Sequence, residues 1–274
     1  MSTARVVLTV GFVALALTGC AGAGDGPGGG EGDAADLVGM WKVADAQGEG
    51  DATWLRMDVV ELRLLRDCGV LSGSWRSADD TFLGVTDGWP AECGDDEPAV
   101  PWLADAVAFR VSDDTVALLG EDGAVVATLT HDGAPDPSDV WTEDDTSVPT
   151  PDADTLAALV DEPAAVPSGM TAATSEGIVG AWVPEGLTVS TEPGVTFDEN
   201  GTYSASDGCN GSGGRWAVGD DGRFLATSGA STMMGCEGAP VPSWVAGASR
   251  AAFDGQTLVL LDADGTELGR LVAA

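Results

Sequence analysis

The fold of this chain is decided by the stretch GCNGSGGRW at residues 208–216, which has a second version, CGVLSGSW, at residues 68–75. In both versions a cysteine precedes a tryptophan by seven residues. The spacing continues upstream, because Trp41 lies 27 residues before the first cysteine and Trp182 lies 27 residues before the second. A period of about 140 residues is too long for a solenoid repeat. The pattern therefore predicts two tandem domains of ordinary small size.

The nine tryptophans divide into two groups. Six fall at matched positions of the two repeats, and they are Trp41 with Trp182, Trp75 with Trp216, and Trp102 with Trp244. Matched positions favour a place in the two cores. Trp54, Trp89 and Trp141 have no counterpart, so we expect them at a contact surface or at a seam between domains.

Composition excludes several function classes. The chain has 274 residues, of which 44% are hydrophobic, and a formal net charge of −34. A nucleic-acid-binding protein needs a basic stripe, and docking onto anionic lipid heads by charge needs basic clusters. The acidity has two interpretations that remain open, a compositional bias that favours solubility and cation binding.

The N-terminal region is typical of an exported lipoprotein. The apolar run at residues 6–17 follows Arg5 and is too short to span a bilayer, but it suits a signal peptide. The sequence LTGC at residues 17–20 resembles a bacterial lipobox, which implies cleavage after residue 19 and lipid attachment, including palmitate, at Cys20. Residues 20–34 are Gly-rich and predict a flexible tether. We expect anchoring at the outer face of the cell membrane; the alternative is an ordinary signal peptide with a chance cysteine.

The remaining four cysteines are expected to form disulfides, since an exported protein meets oxidising conditions. The repeat favours Cys68 with Cys93 and Cys209 with Cys236. Each bond would close a loop of about 26 residues and contribute roughly 3.5 kcal/mol on the chain-entropy model. A zinc site is the weaker alternative, because no CxxC is present and the single histidine, His131, lies in neither repeat.

The first domain is predicted at residues 35–133. Alternating and β-branched segments predict strands at 59–65, 70–76, 107–111, 115–119 and 124–129. The turn at residues 120–123 joins the last two as a hairpin, because Asp-Gly favours the positive φ that such turns need. Residues 102–108 could instead form a short helix.

Residues 134–175 are rich in Pro and Asp and predict a linker. It contains one helical segment, 154–160, with Asp152 or Asp154 as N-cap and Pro163 as its stop. His131 is expected to be exposed and without a chemical role.

The second domain is predicted at residues 176–274 and contains a series of short motifs. They are Trp182, GTY at 201–203, GCN at 208–210 with Gly214, TMMGC at 232–236 and LVL at 258–260. This order of an opening tryptophan, a GxY strand, a GCN segment followed by glycine, a TxMxC segment and a closing LxL hairpin resembles the META-domain family of bacterial envelope proteins. The first domain is a divergent version, because Gly69 replaces the asparagine and WPAEC at 89–93 replaces the methionine segment.

The resemblance implies a mainly β (α+β) fold of two small antiparallel META-like domains, each with at most a short helix. It also implies an envelope lipoprotein with a stress-linked role, and it brings neither a catalytic mechanism nor a cofactor. We interpret the GCN segment as structure, with glycines for tight turns and an asparagine that caps. The alternative is a ligand-contacting loop that uses Asn210 and Arg215.

Motifs for catalysis are missing. No HExxH, GxSxG or GK[ST] motif stands in a suitable context, so we predict no catalytic residue, no metal site and no cofactor. The sequence DADGTE at 262–267 only superficially resembles a calcium loop and is interpreted as a turn.

We therefore expect a non-enzymatic binding or envelope-stress protein, monomeric, with an unknown protein or small-molecule ligand and no nucleic acid. Two alternatives remain. One is a carboxylate-based hydrolase of envelope glycan, which needs two carboxylates about 5 to 9.5 Å apart. The other is a purely structural spacer.

Overall fold

The computed structural model describes residues 32–87, 100–232, 234–235 and 237–274. Its first domain is a closed barrel in which the strands pair in chain order and the last strand pairs with the first. These strands are β1 Gly39–Ala44, β2 Trp54–Met57, β3 Glu61–Arg66, β4 Gly69–Ala78, β5 Thr81–Asp87, β6 Ala108–Ser112, β7 Thr115–Leu119 and β8 Val125–Thr130. The helix α1, Pro101–Asp105, lies between β5 and β6, and a 3₁₀ helix, Ala34–Leu37, precedes β1.

The five strands predicted in this domain are confirmed as β3, β4, β6, β7 and β8, and the alternative of a short helix after residue 101 is confirmed as α1. The hairpin at residues 120–123 is also present, with Gly123 at φ +76°. Strands β1, β2 and β5 were not predicted. In β2 all four residues are buried, so the alternation that signals a half-exposed strand is missing.

A buried carboxylate stabilises the barrel between β1 and β2. The Glu49 side chain is only 3% exposed and forms a bidentate ion pair with Arg66 of β3. Trp102 Nε1 donates to Glu49 Oε1 at 2.8 Å, and Thr53 Oγ1 donates to Oε2 at 3.2 Å. A buried charge is tolerated when it is both paired and hydrogen-bonded, and this one joins β3 and α1 to the loop after β1.

The linker is partly packed onto the first barrel. Its helices are α2 Glu143–Thr146 and α3 Ala153–Val160, and Asp152 is the N-cap of α3, as the sequence predicts. Trp141 packs against the cluster of Met40, Trp54 and Leu65, and its Nε1 donates to Arg66 O at 2.9 Å. Of the two alternatives expected for Trp54, an exposed contact surface is wrong, since the side chain is 7% exposed. Trp54 instead packs with Trp141 where the linker meets the first barrel. Trp89 lies outside the described residues.

The second domain is an open sheet with the spatial order β14-β13-β12-β11-β10-β17-β16-β15-β9. The helix α4 Ser175–Ile178 lies between β9 and β10 in the chain, and α5 Val241–Gly247 connects β14 to β15. The strands are β9 Thr171–Ala172, β10 Gly180–Pro184, β11 Gly194–Phe197, β12 Thr202–Ser206, β13 Gly211–Val218, β14 Phe224–Ala226, β15 Arg250–Asp254, β16 Thr257–Leu261 and β17 Glu267–Ala273. The predicted fold class, mainly β with two tandem domains, is thereby confirmed.

The two domains match element by element. The order from α4 through β17 repeats the order from the 3₁₀ helix through β8. Buried tryptophans repeat with it: Trp41 Nε1 donates to Leu37 O, and Trp182 Nε1 donates to Ile178 O. Five of the six matched tryptophans are buried, as predicted, while Trp244 is half-buried.

The glycines of the GCN segment depart from the prediction of tight turns. Gly208 has φ +105° and does turn, but residues 211–214 lie within strand β13. A Cβ on Gly214 would lie 2.5 Å from Thr227 O, and one on Gly213 would lie 2.8 Å from Tyr203 O. Glycine is therefore required in this strand by the close approach of neighbouring backbone.

Candidate functional site

The two domains meet along a seam in which β4 and β5 of the first face β14 and β13 of the second. Ser74 fixes this seam from β4. Its Oγ donates to Ser228 O at 2.8 Å and accepts from Ser228 N at 2.9 Å. A buried serine that both donates to and accepts from one backbone residue ties the two surfaces at a defined position.

Arg215 crosses the seam from β13. Its Nη1 donates to Leu103 O at 3.2 Å and to Ala106 O at 2.7 Å, at the C-terminal end of α1, where carbonyl groups lack partners within the helix. Burial lowers the pKa of Arg215, and the charges of Asp105 and Glu121 oppose that shift. The predicted ligand-contact residue Arg215 thus lies where the two domains touch.

A cavity of about 920 Å³ opens beside Arg215. Its lining combines apolar side chains with a few polar groups from both domains, as in many ligand sites. The main lining residues are Leu71, Val85, Val100, Leu103, Asp87, Thr202, Tyr203 and Arg215, with backbone of Gly84, Gly213, Gly214 and Gly229. We call this space the seam cavity.

Tyr203 is the single tyrosine of the chain and lines the seam cavity from β12. Its hydroxyl donates to Thr227 O at 2.7 Å. Burial raises the pKa of Tyr203 to about 12, against the opposing effect of the Arg76 guanidinium. The phenol is therefore neutral at physiological pH and serves the cavity as a hydrogen-bonding wall group.

Asp87, at the end of β5, is the one carboxylate among the described residues that line the seam cavity. Burial raises its pKa, and a hydrogen bond from the backbone N–H of Ala230 partly opposes the shift. A glycoside hydrolase needs a second carboxylate across its cleft. The described lining thus lacks the pair that the hydrolase alternative requires.

Asn210 lies away from the seam cavity and joins two loop segments. Its Nδ2 donates to Asp207 Oδ2 at 2.8 Å and to Met234 O at 2.7 Å. Its Oδ1 accepts from Thr232 Oγ1 at 2.9 Å and from Met234 N at 2.6 Å. These four bonds use every hydrogen-bonding position of a side-chain amide, so a ligand contact by Asn210 would require breaking one of them.

Asp207 supports the same loop. Its carboxylate accepts from the Asn210 side chain and from the backbone N–H groups of Asn210 and Cys209, which lowers the pKa of Asp207. The GCN and TMM segments of the sequence are thus held together by side-chain and backbone bonds. We name residues 207–210 with 232–235, apart from Met233, the GCN clamp.

The other predicted residues lie partly outside the described part of the chain. Cys68 and Cys209 are disulfide-bonded, whereas Cys20, Cys93 and Cys236 fall in residues that the structure does not describe. The proposed pairings and the lipid site therefore stay predictions. Within the described ranges, no cluster of three metal-ligating side chains occurs, and no helix has the length and apolar character to cross a bilayer.

His131 is exposed, as predicted, and its ring stacks on Trp41 with centroids 3.8 Å apart. Sequence reasoning missed Asp87 and Tyr203. Asp87 stands in no recognisable motif, whereas Tyr203 stands in the GTY motif at 201–203, which assigns it no role at a site. Both line the seam cavity only because the two domains meet there. One feature of the sequence could have indicated the seam. Along β4 the core residue Trp75 is flanked by Ser74 and Arg76, which lie on the opposite face of the strand, and Ser74 contacts the second domain from that face.

The comparison with protein families matches residues 176–274 to the META domain. The match coincides with the predicted second domain and confirms the resemblance for that part of the chain; it does not include the first domain. Neither the comparison with curated proteins nor that with solved structures gave a match.

Proposed function

We propose that this protein, whose residues 176–274 match the META domain, is a lipid-anchored binding protein of the cell envelope that holds its ligand in the seam cavity without transforming it. The observation that carries the proposal is the cavity itself. It has about 920 Å³ of space, apolar walls and a few convergent polar groups, and both domains contribute to it.

Its chemistry suits binding better than catalysis. The described polar lining offers a neutral phenol at Tyr203, one carboxylate at Asp87 and a guanidinium at Arg215 that already contacts two carbonyl groups. None of these forms a nucleophile with an adjacent base. Groups of this kind orient a bound molecule.

The membrane location is supported by the N-terminal sequence. The apolar run at 6–17, the LTGC sequence and the Gly-rich stretch up to residue 34 follow one another in the order that export, lipidation and tethering require. More than one acyl chain makes such an anchor stable. Envelope stress is the condition under which we expect the protein to be needed.

The ligand is tested by native mass spectrometry of the chain secreted with Cys20→Ser. We expect a bound species of a few hundred daltons that disappears in Val85→Trp, because the indole fills the seam cavity. Val125→Trp is the matched control, since Val125 is 52% exposed on β8. A chain that carries and takes up nothing, or a bound species that Val85→Trp retains, would falsify the proposed site.

The anchor is tested separately by metabolic labelling with palmitate. We expect label in the membrane fraction of the unaltered chain and none in Cys20→Ser, which should be released in soluble form. Equal membrane retention of both forms would contradict lipidation at Cys20.

A further inference from the structure

Arg76 of β4 is a partly buried cation that has no carboxylate partner in the described part of the chain. The arginines that do form ion pairs there are Arg56, Arg63, Arg66, Arg223, Arg250 and Arg270. The hydrogen bond of Arg76 runs from its Nη1 to Trp75 O at 2.8 Å. Carboxylates are abundant, since the chain has 45 acidic residues against 11 lysines and arginines. A charge that is withdrawn from water and left unpaired is costly, which points to a counter-ion from outside the chain.

The surroundings of Arg76 differ from those of Arg215, which also forms no ion pair among the described residues. Burial lowers the pKa of both guanidinium groups. For Arg215, the charges of Asp105 and Glu121 oppose that shift, and two carbonyl groups accept its hydrogen bonds. For Arg76, the opposing group is the phenol of Tyr203. Arg215 is therefore satisfied within the protein, whereas Arg76 has donors left for a further acceptor.

Arg76 lines a cavity of about 280 Å³ that is separate from the seam cavity. The two cavities have no described lining residue in common. This one lies where β4, the linker helix α3 and the second domain meet, and its walls are mostly apolar. The main apolar lining residues are Val59, Trp75, Leu159, Phe224, Ala226 and Ala248. We call this space, with Arg76 and Ser77 in its lining, the arginine cavity.

Ser77 adds a second unmet polar group to the arginine cavity. Its Oγ is buried and has no hydrogen-bond partner among the described residues. Side chains of neighbouring residues leave a strand on opposite faces, so one ligand reaches Arg76 and Ser77 only from beside β4. The pairing of β3 with β4 ends at Glu61 and Ser74, and the cavity lies beyond that end, against Val59. A ligand there is beside the strand and within reach of both faces.

The charges of the arginine cavity favour a monoanion. Its other charged lining residues are Arg223, which pairs with Glu162, and Asp161, which is exposed. Arg76 is thus the partly buried charge of the described lining that lacks compensation. A guanidinium matches a carboxylate by two parallel hydrogen bonds. A dianion would be repelled more strongly by Asp161 and by the acidic chain as a whole.

We infer that the arginine cavity binds a small monocarboxylate whose oxygens accept hydrogen bonds from Arg76 and Ser77 and whose apolar body packs against Trp75 and Phe224. This site is additional to the seam cavity and does not depend on the ligand proposed there. Its volume is at the small end of the range for ligand sites. A short-chain fatty acid or an aromatic acid has the matching size and charge.

The test uses the soluble chain with Cys20→Ser and two probes, benzoate and hexanoate, with binding measured by ligand-observed NMR. Arg76→Met keeps an apolar stem and removes the charge and its donors, so we expect affinity for both acids to fall at least about tenfold. Arg110→Met is the matched control, because Arg110 is exposed and lies outside the described lining of the arginine cavity. Its affinity should equal that of the unaltered chain.

Three outcomes of this titration would overturn the inference. The first is that the unaltered chain binds neither acid. The second is an equal loss in Arg76→Met and Arg110→Met, which would mean that the acids respond to overall charge. The third is loss of binding in Val85→Trp, which would place the acids in the seam cavity. Retention of binding in Val85→Trp is the expected result.

Thermal unfolding gives a second readout that a structural role of Arg76 would reverse. A charge without a partner does not stabilise the fold, so Arg76→Met should unfold at the same temperature as the unaltered chain or at a higher one. Benzoate should raise the unfolding temperature of the unaltered chain and not that of the variant. A lower unfolding temperature in Arg76→Met, with benzoate still bound, would assign Arg76 to stability and overturn the inference.

Ser77→Ala keeps the inference testable even if Arg76→Met fails to fold. The hydroxyl has no partner to lose among the described residues, so the unfolding temperature should not change. Affinity for benzoate should fall about fivefold, because one hydrogen bond to a charged group is lost. Unchanged affinity would contradict the position assigned to the carboxylate.

Discussion

The two domains share one order of elements and the same closing contact, but the strand at that contact differs in length. In the first, β5 has seven residues and meets β6 through the single pair of Thr81 with Ala108. In the second, β14 has three residues, and the sheet meets itself through an isolated bridge between Arg223 and Arg250. The anchoring bond is the same in both, since Phe82 N donates to Val107 O and Phe224 N donates to Ser249 O. The repeated skeleton thus keeps its closing contact while the strand that carries it varies in length.

The stabilising polar groups differ as well. The first barrel has the buried Glu49–Arg66 pair. The second domain has the GCN clamp and the buried Arg250, which contacts Glu162 of the linker and Asp221. The shared tryptophans therefore specify the common core, and the polar residues around it make each copy distinct.

The largest effect is expected at the carboxylate that only the first domain has. Glu49→Ala leaves the partly buried Arg66 without its partner and Trp102 Nε1 without its acceptor, and breaking such a buried pair costs about 3–5 kcal/mol. Urea unfolding should show this loss in the first domain. Glu199→Gln, at an exposed turn of the second domain, should change stability little. Equal losses in the two variants would contradict the role assigned to Glu49.

The next largest effect is expected when the GCN clamp, which only the second domain has, is disrupted. Asn210→Ala removes the four hydrogen bonds of the Asn210 side chain. It leaves hydrogen-bonding groups of Asp207 and Met234 without that partner, at an expected cost of about 1–3 kcal/mol in the free energy of unfolding. Thermal unfolding measures the cost, and amide exchange at Met234 should accelerate. Unchanged exchange would mean that the loop is held by other contacts.

A reciprocal change sharpens the comparison. Gly69 occupies the position of the asparagine in the first domain and has φ +144°, a conformation that side chains rarely adopt. Gly69→Asn should therefore destabilise the first domain by about 1–3 kcal/mol. Should the variant be as stable as the unaltered chain, the two loops would be interchangeable and the divergence of the first copy would have no backbone cause.

The smallest effect is at the seam and depends on pH. The pKa of Tyr203 is raised by burial to about 12, above the value of about 10 in an unfolded chain. The neutral phenol thus stabilises the fold fully below about pH 10, and this contribution is lost as the pH rises through 12. Tyr203→Phe should remove that pH dependence and cost about 1 kcal/mol at neutral pH, through the lost bond to Thr227 O.

The titration is directly observable, because Tyr203 is the single tyrosine. Tyrosinate absorbance of the folded protein should rise with a midpoint near pH 12. A midpoint near pH 10 would mean that water reaches the phenol and that the seam is looser than described.

Local features were predictable from the sequence, and long-range ones were not. The hairpin at 120–123 and the N-cap Asp152 depend on residues within a few positions of one another, so their patterns are visible in the chain. Strand β2 was missed because it is buried on both faces. The hydrogen bond between Ser74 and Ser228 joins residues 154 positions apart, and no sequence pattern around either residue predicts it. Of the residues that line the seam cavity, only Arg215 was predicted as a ligand contact, and Tyr203 was named solely as part of the GTY motif.

The 3₁₀ helix at Ala34–Leu37 fastens the start of the described chain to the first core. Ala34 and Leu37 are buried in the first core, Leu37 O accepts from the Trp41 indole at 2.9 Å, and the segment contacts α3 of the linker. A pull that enters the chain before Gly32 therefore reaches the first barrel and the linker helix together. Under the proposed lipid anchoring, the first barrel would be the end of the protein that takes up strain from the tether.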